Sequence, residues 1–206
     1  MGLDKADGKR KAILPGAGEC FAKFGFVKTT LEDIARRGDL NKATLYYYLN
    51  KESIFTQVVL RESEKFIASL QARIAGEPGI ENRITFYLTE RLDYHRRVVK
   101  LHELSVQFLR EVEPVFDGLY RLVFEREVDF VAQILREGEQ QGYFVLSDAH
   151  RVALSLLTIA DAIKFKAVQQ ANVERATQID YPRIKEEIAF VAGLILRGIR
   201  TNPARV

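Results

Sequence analysis

Apolar residues recur at intervals of three and four positions from about residue 9 to residue 200. No stretch of useful length alternates apolar and polar residues. The first pattern is typical of amphipathic α-helices, whereas alternation is typical of β-strands. The sequence therefore predicts an all-α protein. Proline occurs at only five positions along this pattern, and prolines tend to mark helix ends.

Turn-forming and capping residues predict the bounds of the long helices. Residues 75–79 read Ala-Gly-Glu-Pro-Gly, a composition typical of a turn. Pro114 is expected to lie in the first turn of a helix, a position that needs no backbone N–H. Gly142 is expected to end a helix with a left-handed cap, and Asp148 to cap the next. Pro182 then marks the start of the last helix.

The pattern divides the chain into two regions. Residues 1–52 contain short apolar periods separated by tight turns, and residues 53–206 contain long helices that are apolar on wide faces. A helix of four turns or more, near residues 50–75, is predicted to join the two regions. We interpret residues 1–52 as one domain and residues 53–206 as a second.

Residues 26–51 are the most informative segment of the chain. Thr29 and Thr30 each precede a carboxylate by three positions, the spacing of a capping box, so a short helix is expected to start there. Gly38 interrupts that helix, and Asn41 is a strong cap for the next one. Two short helices joined by a tight turn form a helix-turn-helix, although some such pairs are purely structural.

The second of these helices carries side chains suited to DNA on the side away from Leu45 and Leu49. Lysine can bind a phosphate or guanine, a small residue allows close approach to a base, and hydroxyl groups donate to phosphate oxygens. Amide groups at the start of the first helix attract a phosphate, and lysines beside helix ends add charge. The residues that these arguments select are Lys28, Thr29, Thr30, Lys42, Ala43, Thr44, Tyr46, Tyr47 and Lys51.

The stretch from Phe26 to Phe55 resembles the DNA-binding domain of TetR-type transcriptional repressors. Upstream, Ile13-Leu14 and the run from Cys20 to Gly25 are similar to the family's first helix, which ends at a glycine. The resemblance covers about residues 9–56, with three helices, their caps and the turn in register. Beyond that stretch, the chain agrees with the family only in length and helical content.

The resemblance implies a set of DNA contacts, a dimer and an effector. Bases are expected to be contacted by Asn41, Lys42 and Ala43, and phosphates by Thr29 or Thr30, Thr44, Tyr46, Tyr47, Tyr48 and Lys51. Tyr48 lies nearest the inward face, so a structural role is the alternative for it. Members of the family act as homodimers on near-palindromic DNA, and a small inducer bound in the larger domain weakens DNA binding.

Three positions depart from the family pattern. Asp39 stands in the turn where glycine is common, and aspartate tolerates left-handed backbone angles. Leu49 replaces an aromatic residue, a change that affects packing. Pro15 lies within the expected first helix, where it removes one backbone hydrogen bond. We therefore expect a kink or a late start of that helix near residue 15.

Charge supports a polyanionic partner for the N-terminal region. Residues 1–51 hold ten Lys/Arg and six Asp/Glu, whereas residues 52–206 hold 21 and 22, so the net charge of +3 comes from the first quarter of the chain. An uneven distribution of this kind is common in nucleic-acid-binding proteins. The imbalance is small, and it is consistent with double-stranded DNA as the partner.

The last two long helices are the predicted dimer surface. Residues 149–168 are apolar nearly all round, and residues 184–199 are similar, with small residues that permit close helix approach. The family resemblance implies a four-helix interface between two copies of these helices; a monomeric core that buries both is the alternative. Asp161 and Lys164 interrupt the first of the two. They are expected to pair with each other, and the alternative is that they face a cavity or the partner.

An effector pocket is expected among the middle helices, because ligand sites are mostly apolar with a few polar groups. Arg91 is the candidate anchor for an anion. The other candidates, each of which has plain core packing as its alternative, are Phe86, Tyr87, Tyr94, His95, Phe108, Phe116, Tyr120, Phe124 and Phe165. Their abundance favours an apolar or aromatic effector.

Other classes of function find little support in the sequence. No paired carboxylates, nucleophile elbow or phosphate-binding glycine loop is evident, so we do not expect an enzyme or a cofactor. His95 and His102 are seven residues apart, too far for the usual pair of metal ligands on one helix, and no metal site is expected. The single cysteine, Cys20, is expected to be a small buried apolar residue. With no apolar segment long enough to span a membrane, a cytoplasmic location is expected.

Overall fold

The computed structural model of this chain describes residues 3–38 and 50–201, and the side chains of residues 13–38, 50–112 and 116–201. Those residues form α-helices and one short 3-10 helix at Ala176–Gln178. They contain no β-strand, only two isolated bridges. The predicted all-α class is therefore confirmed. The α-helices are α1 (Leu3–Lys28), α2 (Leu31–Arg37), α3 (Lys51–Ile74), α4 (Ile80–His102), α5 (Val106–Gln140), α6 (Ala149–Gln170) and α7 (Tyr181–Gly198).

Most predicted helix bounds agree with the structure. Helix α3 is the long helix expected near residues 50–75, and the expected turn follows it. Helix α5 ends at Gln140, and Gly142 has a φ of 76°, the left-handed conformation expected of a glycine cap. Asp148 caps α6 by accepting a 3.0 Å hydrogen bond from the amide of Arg151. Helix α7 begins at Tyr181 with Pro182 in its first turn.

The start of α5 differs from the prediction. The helix begins at Val106 and continues through residues 113–115, so Pro114 lies inside it rather than opening it. The physical reason is the cap at Ser105, whose hydroxyl accepts a 3.1 Å hydrogen bond from the amide of Phe108. A capped start satisfies the first free amides of a helix, and a long helix tolerates the loss of one bond at a later proline.

Helix α1 also starts earlier than expected. It begins at Leu3 and continues through Pro15, which is exposed to solvent, where water can bind the carbonyl that a proline leaves without an amide. The non-helical backbone inside α1 lies at Gly25, with φ 74° and ψ 168°. Glycine adopts positive φ without a steric penalty. The break therefore lies where the family resemblance ends the first helix.

The chain divides into two compact units. Unit 1 comprises Met1–Glu64, Arg97–Leu119 and Val173–Gln178, and unit 2 comprises Lys65–Arg96, Tyr120–Asn172 and Ile179–Val206. Helices α3, α4 and α5 each contribute residues to both units. Each unit is a set of residues that contact one another, and its bounds differ from those of the predicted domains. The domains of residues 1–52 and 53–206 remain a prediction from the sequence.

Unit 1 has an aromatic core. The ring of Phe55 from α3 lies 5.1 Å from that of Phe21 and 4.9 Å from that of Phe26, both on α1. Phe108 from α5 completes the cluster, with its ring 4.3 Å from that of Phe26. Burial of large aromatic side chains is strongly stabilising. This cluster packs α1 against α3 and α5.

Unit 2 is a bundle of long helices with an aliphatic core. Its fully buried side chains come from every helix of the unit, and they include Leu70, Ile84, Leu88, Leu135 and Leu157. Among the helices that the structure describes, none combines the length and apolarity that crossing a lipid bilayer requires. The core of unit 2 also encloses charged side chains, described below.

Candidate DNA-binding and effector sites

The start of α2 is a capping box built on Thr30. The Thr30 hydroxyl accepts a 3.2 Å hydrogen bond from the amide of Asp33, and the Asp33 carboxylate accepts a 3.0 Å bond from the amide of Thr30. The Thr30 hydroxyl also donates to that carboxylate, and these bonds lower the pKa of Asp33. The arrangement satisfies amides that a helix start leaves free and orients α2.

Thr29 and Thr30 have different roles, although the sequence places them side by side. The Thr29 side chain is buried, and its hydroxyl donates to the carbonyl of Gly25 at 2.7 Å and lies 3.3 Å from that of Cys20. Thr30 is exposed to solvent. Cys20 is buried as expected, and burial raises the pKa of its thiol. Of the two threonines predicted to contact phosphate, Thr30 is therefore the one at the surface.

Replacing Thr29 with valine is expected to lower the free energy of unfolding by about 1–3 kcal/mol, because the hydrogen bond from its buried hydroxyl to the carbonyl of Gly25 is lost. Valine keeps the shape of threonine, so packing changes little. Denaturant unfolding followed by circular dichroism measures the effect. Thr30→Ser, which retains the capping hydroxyl, is the control and is expected to change stability by less than about 0.5 kcal/mol. An unchanged midpoint in Thr29→Val would show that the hydroxyl is free, as a phosphate contact requires.

Two predicted phosphate-binding lysines are described. Lys28 is exposed in the last turn of α1. Lys51, at the start of α3, donates a 3.2 Å hydrogen bond to the carbonyl of Phe26, and its ammonium lies 4.4 Å from the centre of the Phe26 ring. Lys51 therefore ties α3 to the end of α1, a structural role that the sequence did not indicate.

The predicted recognition helix lies outside the described residues. The contacts assigned there from the sequence and the resemblance remain predictions. They concern Asn41, Lys42, Ala43, Thr44, Tyr46, Tyr47 and Tyr48.

In unit 2, three of the candidate effector residues meet at one carboxylate. Glu127 on α5 is completely buried and accepts hydrogen bonds from the hydroxyls of Tyr87 at 2.9 Å and Tyr120 at 2.5 Å. Arg91 on α4 donates to both of its oxygens, at 2.6 Å and 3.2 Å. The carboxylate thus has four donor contacts, as a buried charge requires.

Arg91 links this carboxylate to a second one on α6. Its guanidinium lies 3.1 Å from Asp161, which is also 3.6 Å from Lys164. Burial disfavours both charges, but the pairing outweighs it, so the pKa of Arg91 is raised and that of Asp161 is lowered. Asp161 and Lys164 therefore pair as expected, and Asp161 belongs to the buried cluster as well. The cluster already neutralises Arg91, the predicted anion anchor.

The other candidate residues do not share one place. In unit 2, the ring of Tyr94 stacks on Phe66 at 4.2 Å, and the guanidinium of Arg73 lies over the ring of Phe86. His95 lies beside Tyr181, with ring centres 6.0 Å apart. Phe165 is 43% exposed on α6. Of the remaining three, Phe124 is partly buried in unit 2, whereas Phe108 and Phe116 belong to unit 1.

Glu127 is the central residue of the cluster and was missed by the sequence analysis. It lies in the run Glu125-Arg126-Glu127, which looks like a solvated face. A signal was nevertheless present, because Val123, Glu127 and Val131 follow at intervals of four, and both valines are buried. A carboxylate on an apolar helical stripe must find donors inside the protein.

A separate surface pocket of about 470 Å³ lies in unit 2, where the ion pair of Glu81 and Arg200 forms part of its wall. None of the predicted effector residues lines it. The part of the chain that the structure describes contains no group of three metal-ligating side chains.

Comparison with known proteins finds a family for the N-terminal segment and relatives that span nearly the whole chain. The family described as bacterial regulatory proteins of the tetR family matches residues 13–58. The uncharacterized HTH-type transcriptional regulator YhgD of Bacillus subtilis is 24% identical over 94% of this chain and 98% of its own length. Similarity therefore extends well beyond the DNA-binding segment.

Solved structures show the same fold. A transcriptional regulator from Cytophaga hutchinsonii superposes with a TM-score of 0.71 at 26% identity, over 94% of this chain and all of the other. A TetR-family transcriptional regulator from Pectobacterium atrosepticum has a TM-score of 0.65 at 16% identity, over 98% of this chain and all of the other. Together with the capped helices of the N-terminal segment, these likenesses support a DNA-binding transcriptional regulator, with residues 13–58 similar to the DNA-binding segment of the tetR family.

Proposed function

We propose that this regulator is a homodimeric repressor that binds a near-palindromic operator and is released by a small apolar or aromatic effector. The observation that carries the proposal is an apolar face left uncovered on α6 and α7. Leu154 and Phe165 on α6 are 41% and 43% exposed, and Phe190 and Leu194 on α7 are 58% and 48% exposed. We call these four residues the apolar face.

The apolar face follows the periodicity of both helices. Leu154 and Phe165 are eleven residues apart, three helical turns, and Phe190 and Leu194 are four apart, so each pair shares one side of its helix. Large exposed apolar patches on soluble proteins usually mark interfaces. Two-fold dimers are the commonest oligomers, and they bury the same patch on both copies. A two-fold dimer presents two recognition helices, which accounts for a near-palindromic operator.

On the DNA side, we assign base contacts to the start of the recognition helix and phosphate contacts to the groups around it. Lys28 and Thr30 are at the surface of unit 1, next to the start of α2. In the effector-bound state, the spacing of the two recognition helices changes. An effector achieves this only by binding one spacing more tightly than the other.

Selection of bound duplexes from a random library by the purified protein tests the proposal. Lys42→Ala and Tyr47→Ala are expected to weaken binding to the selected site by about tenfold to a hundredfold while the dimer persists. If Lys42 binds a phosphate, its removal also reduces the slope of log affinity against log salt by about one. Lys166→Ala, an exposed lysine on α6, is the control with unchanged affinity.

The opposite outcomes point to the alternative, a helical small-molecule-binding or scaffold protein without specific DNA binding. A selection that yields no motif, or unchanged affinity in both recognition-helix variants, would favour it. The predicted recognition helix carries Lys42 and the hydroxyl groups of Thr44, Tyr46 and Tyr47, and these side chains favour a DNA-binding regulator over the alternative. Mass spectrometry of the purified protein identifies a co-purified effector, which would itself suppress the selection.

A further inference from the structure

Two neighbouring side chains of unit 2 each bury a polar atom that has no hydrogen-bond partner among the residues that the structure describes. One atom is Nε2 of His95 on α4, and the other is the hydroxyl of Tyr181 at the start of α7. Tyr181 is 3% exposed, and the two rings are tilted at 50° with centres 6.0 Å apart. Buried polar groups almost always have partners, so two unpaired groups in ring contact point to a shared binding function.

The charges around these two groups favour an anion. Burial and the positive charge of Lys164 together lower the pKa of His95 to about 3, and Asp161 opposes this shift only in part. Burial raises the pKa of Tyr181, and the positive charge of Arg96 opposes that shift. At neutral pH, both groups are uncharged and can donate hydrogen bonds beside two cations. Asp161, the neighbouring carboxylate, is already paired with Arg91 and Lys164.

We propose that His95 and Tyr181 form the polar end of the effector site and bind a carboxylate, so that the effector is a small apolar carboxylic acid. A carboxylate has two oxygens, one for the imidazole N–H and one for the phenol O–H. The neighbouring turns are apolar, since Leu92 precedes His95 by three residues and Ile184 follows Tyr181 by three, and both are buried. This inference rests on the proposed function, because it names the ligand class of that effector site.

Nuclear magnetic resonance of the histidine rings tests the site directly. The chain has three histidines, His95, His102 and His150, so the imidazole spectrum is simple. Decanoate, hexanoate and phenylacetate are titrated into the protein. The primary amide of each acid is titrated in a parallel experiment. At least one acid is expected to shift the His95 signal, and its amide to bind at least about tenfold more weakly. Equal binding of acid and amide, or no shift with any acid, would overturn the proposal.

Tyr181→Phe removes only the hydroxyl and is the decisive variant. It is expected to weaken binding of the acid by about tenfold, because one charge-assisted hydrogen bond is lost. In the absence of acid, its Tm is expected to stay unchanged or to rise, since an unpaired buried group is removed. Tyr87→Phe is the matched control for stability; its hydroxyl is bonded to Glu127, so its Tm falls. A fall of Tm in Tyr181→Phe, with acid binding retained, would show that the hydroxyl is structural.

Operator binding, measured on the same samples, separates this inference from the proposed function. If an acid shifts His95 but does not release the operator, the carboxylate site is correct and the repressor mechanism is wrong. If compounds without a carboxylate release the operator and no acid shifts His95, the repressor mechanism is correct and the carboxylate site is wrong.

Discussion

Replacing both Phe190 and Leu194 with glutamate is expected to convert the proposed dimer into a monomer at micromolar concentration. The two side chains are among the most exposed apolar groups of unit 2, and they lie one turn apart on α7. In a two-fold dimer each change occurs twice, so four carboxylates would be buried without partners. The dimer dissociation constant is expected to rise at least about a thousandfold, since unpaired buried charges cost several kcal/mol.

Sedimentation equilibrium of the variant and the wild type measures this change. Leu122→Glu is the control, because Leu122 is 60% exposed on α5, outside the apolar face, and its variant is expected to remain dimeric. Loss of the dimer also removes the simultaneous use of two half-sites, so the variant is expected to lose most of its operator affinity. A double variant that stays dimeric would place the dimer interface elsewhere.

Helix ends were predictable where a single residue decides them. Gly142 and Asp148 act through their own backbone angles or side chains, and the structure places both as expected. The predicted start of α5 was wrong because the sequence carries two competing signals, a proline at residue 114 and a serine at residue 105. A cap acts on amides that are otherwise free, whereas a proline in a helix removes one bond among many.

The candidate sites were less predictable, because they depend on contacts between distant residues. Thr29 and Thr30 have the same side chain and neighbouring positions, yet one hydroxyl is buried and the other caps a helix. Arg91 was predicted to anchor an anionic group of the effector, and the partners that the structure gives it lie 36 and 70 residues away. Spacing along one helix cannot identify partners on two others.

Helix α6 carries residues of both the proposed dimer interface and the buried charge cluster around Arg91. Asp161 lies seven residues after Leu154 and four before Phe165, and therefore on the same side of the helix as the apolar face. Its side chain is 36% exposed, while it also pairs with the buried Arg91. Formation of the proposed dimer would remove water from Asp161 and strengthen that pair. Dimer stability and the state of the buried cluster are therefore expected to influence each other.

Replacing Glu127 with glutamine is expected to lower the free energy of unfolding by about 3–5 kcal/mol, because it removes one of the two carboxylates that neutralise the buried Arg91. Glutamine has nearly the same shape as glutamate, so the change reports charge and hydrogen bonding rather than volume. Whichever carboxylate oxygen the amide NH₂ replaces, it would also face a nitrogen of Arg91, which can only donate, since Arg91 contacts both oxygens of Glu127. Denaturant unfolding at neutral pH measures the loss.

Two further variants identify the cause of that loss. Glu90→Gln weakens the ion pair with Arg73, whose side chain is 54% exposed, and is expected to cost no more than about 1 kcal/mol. The double variant Arg91→Met with Glu127→Met removes both buried charges and keeps most of the volume. It is expected to recover much of the lost stability, because an apolar pair needs no counter-charge. A Glu127→Gln protein as stable as the wild type would show that Asp161 alone neutralises Arg91, and that the cluster can exchange carboxylates without unfolding.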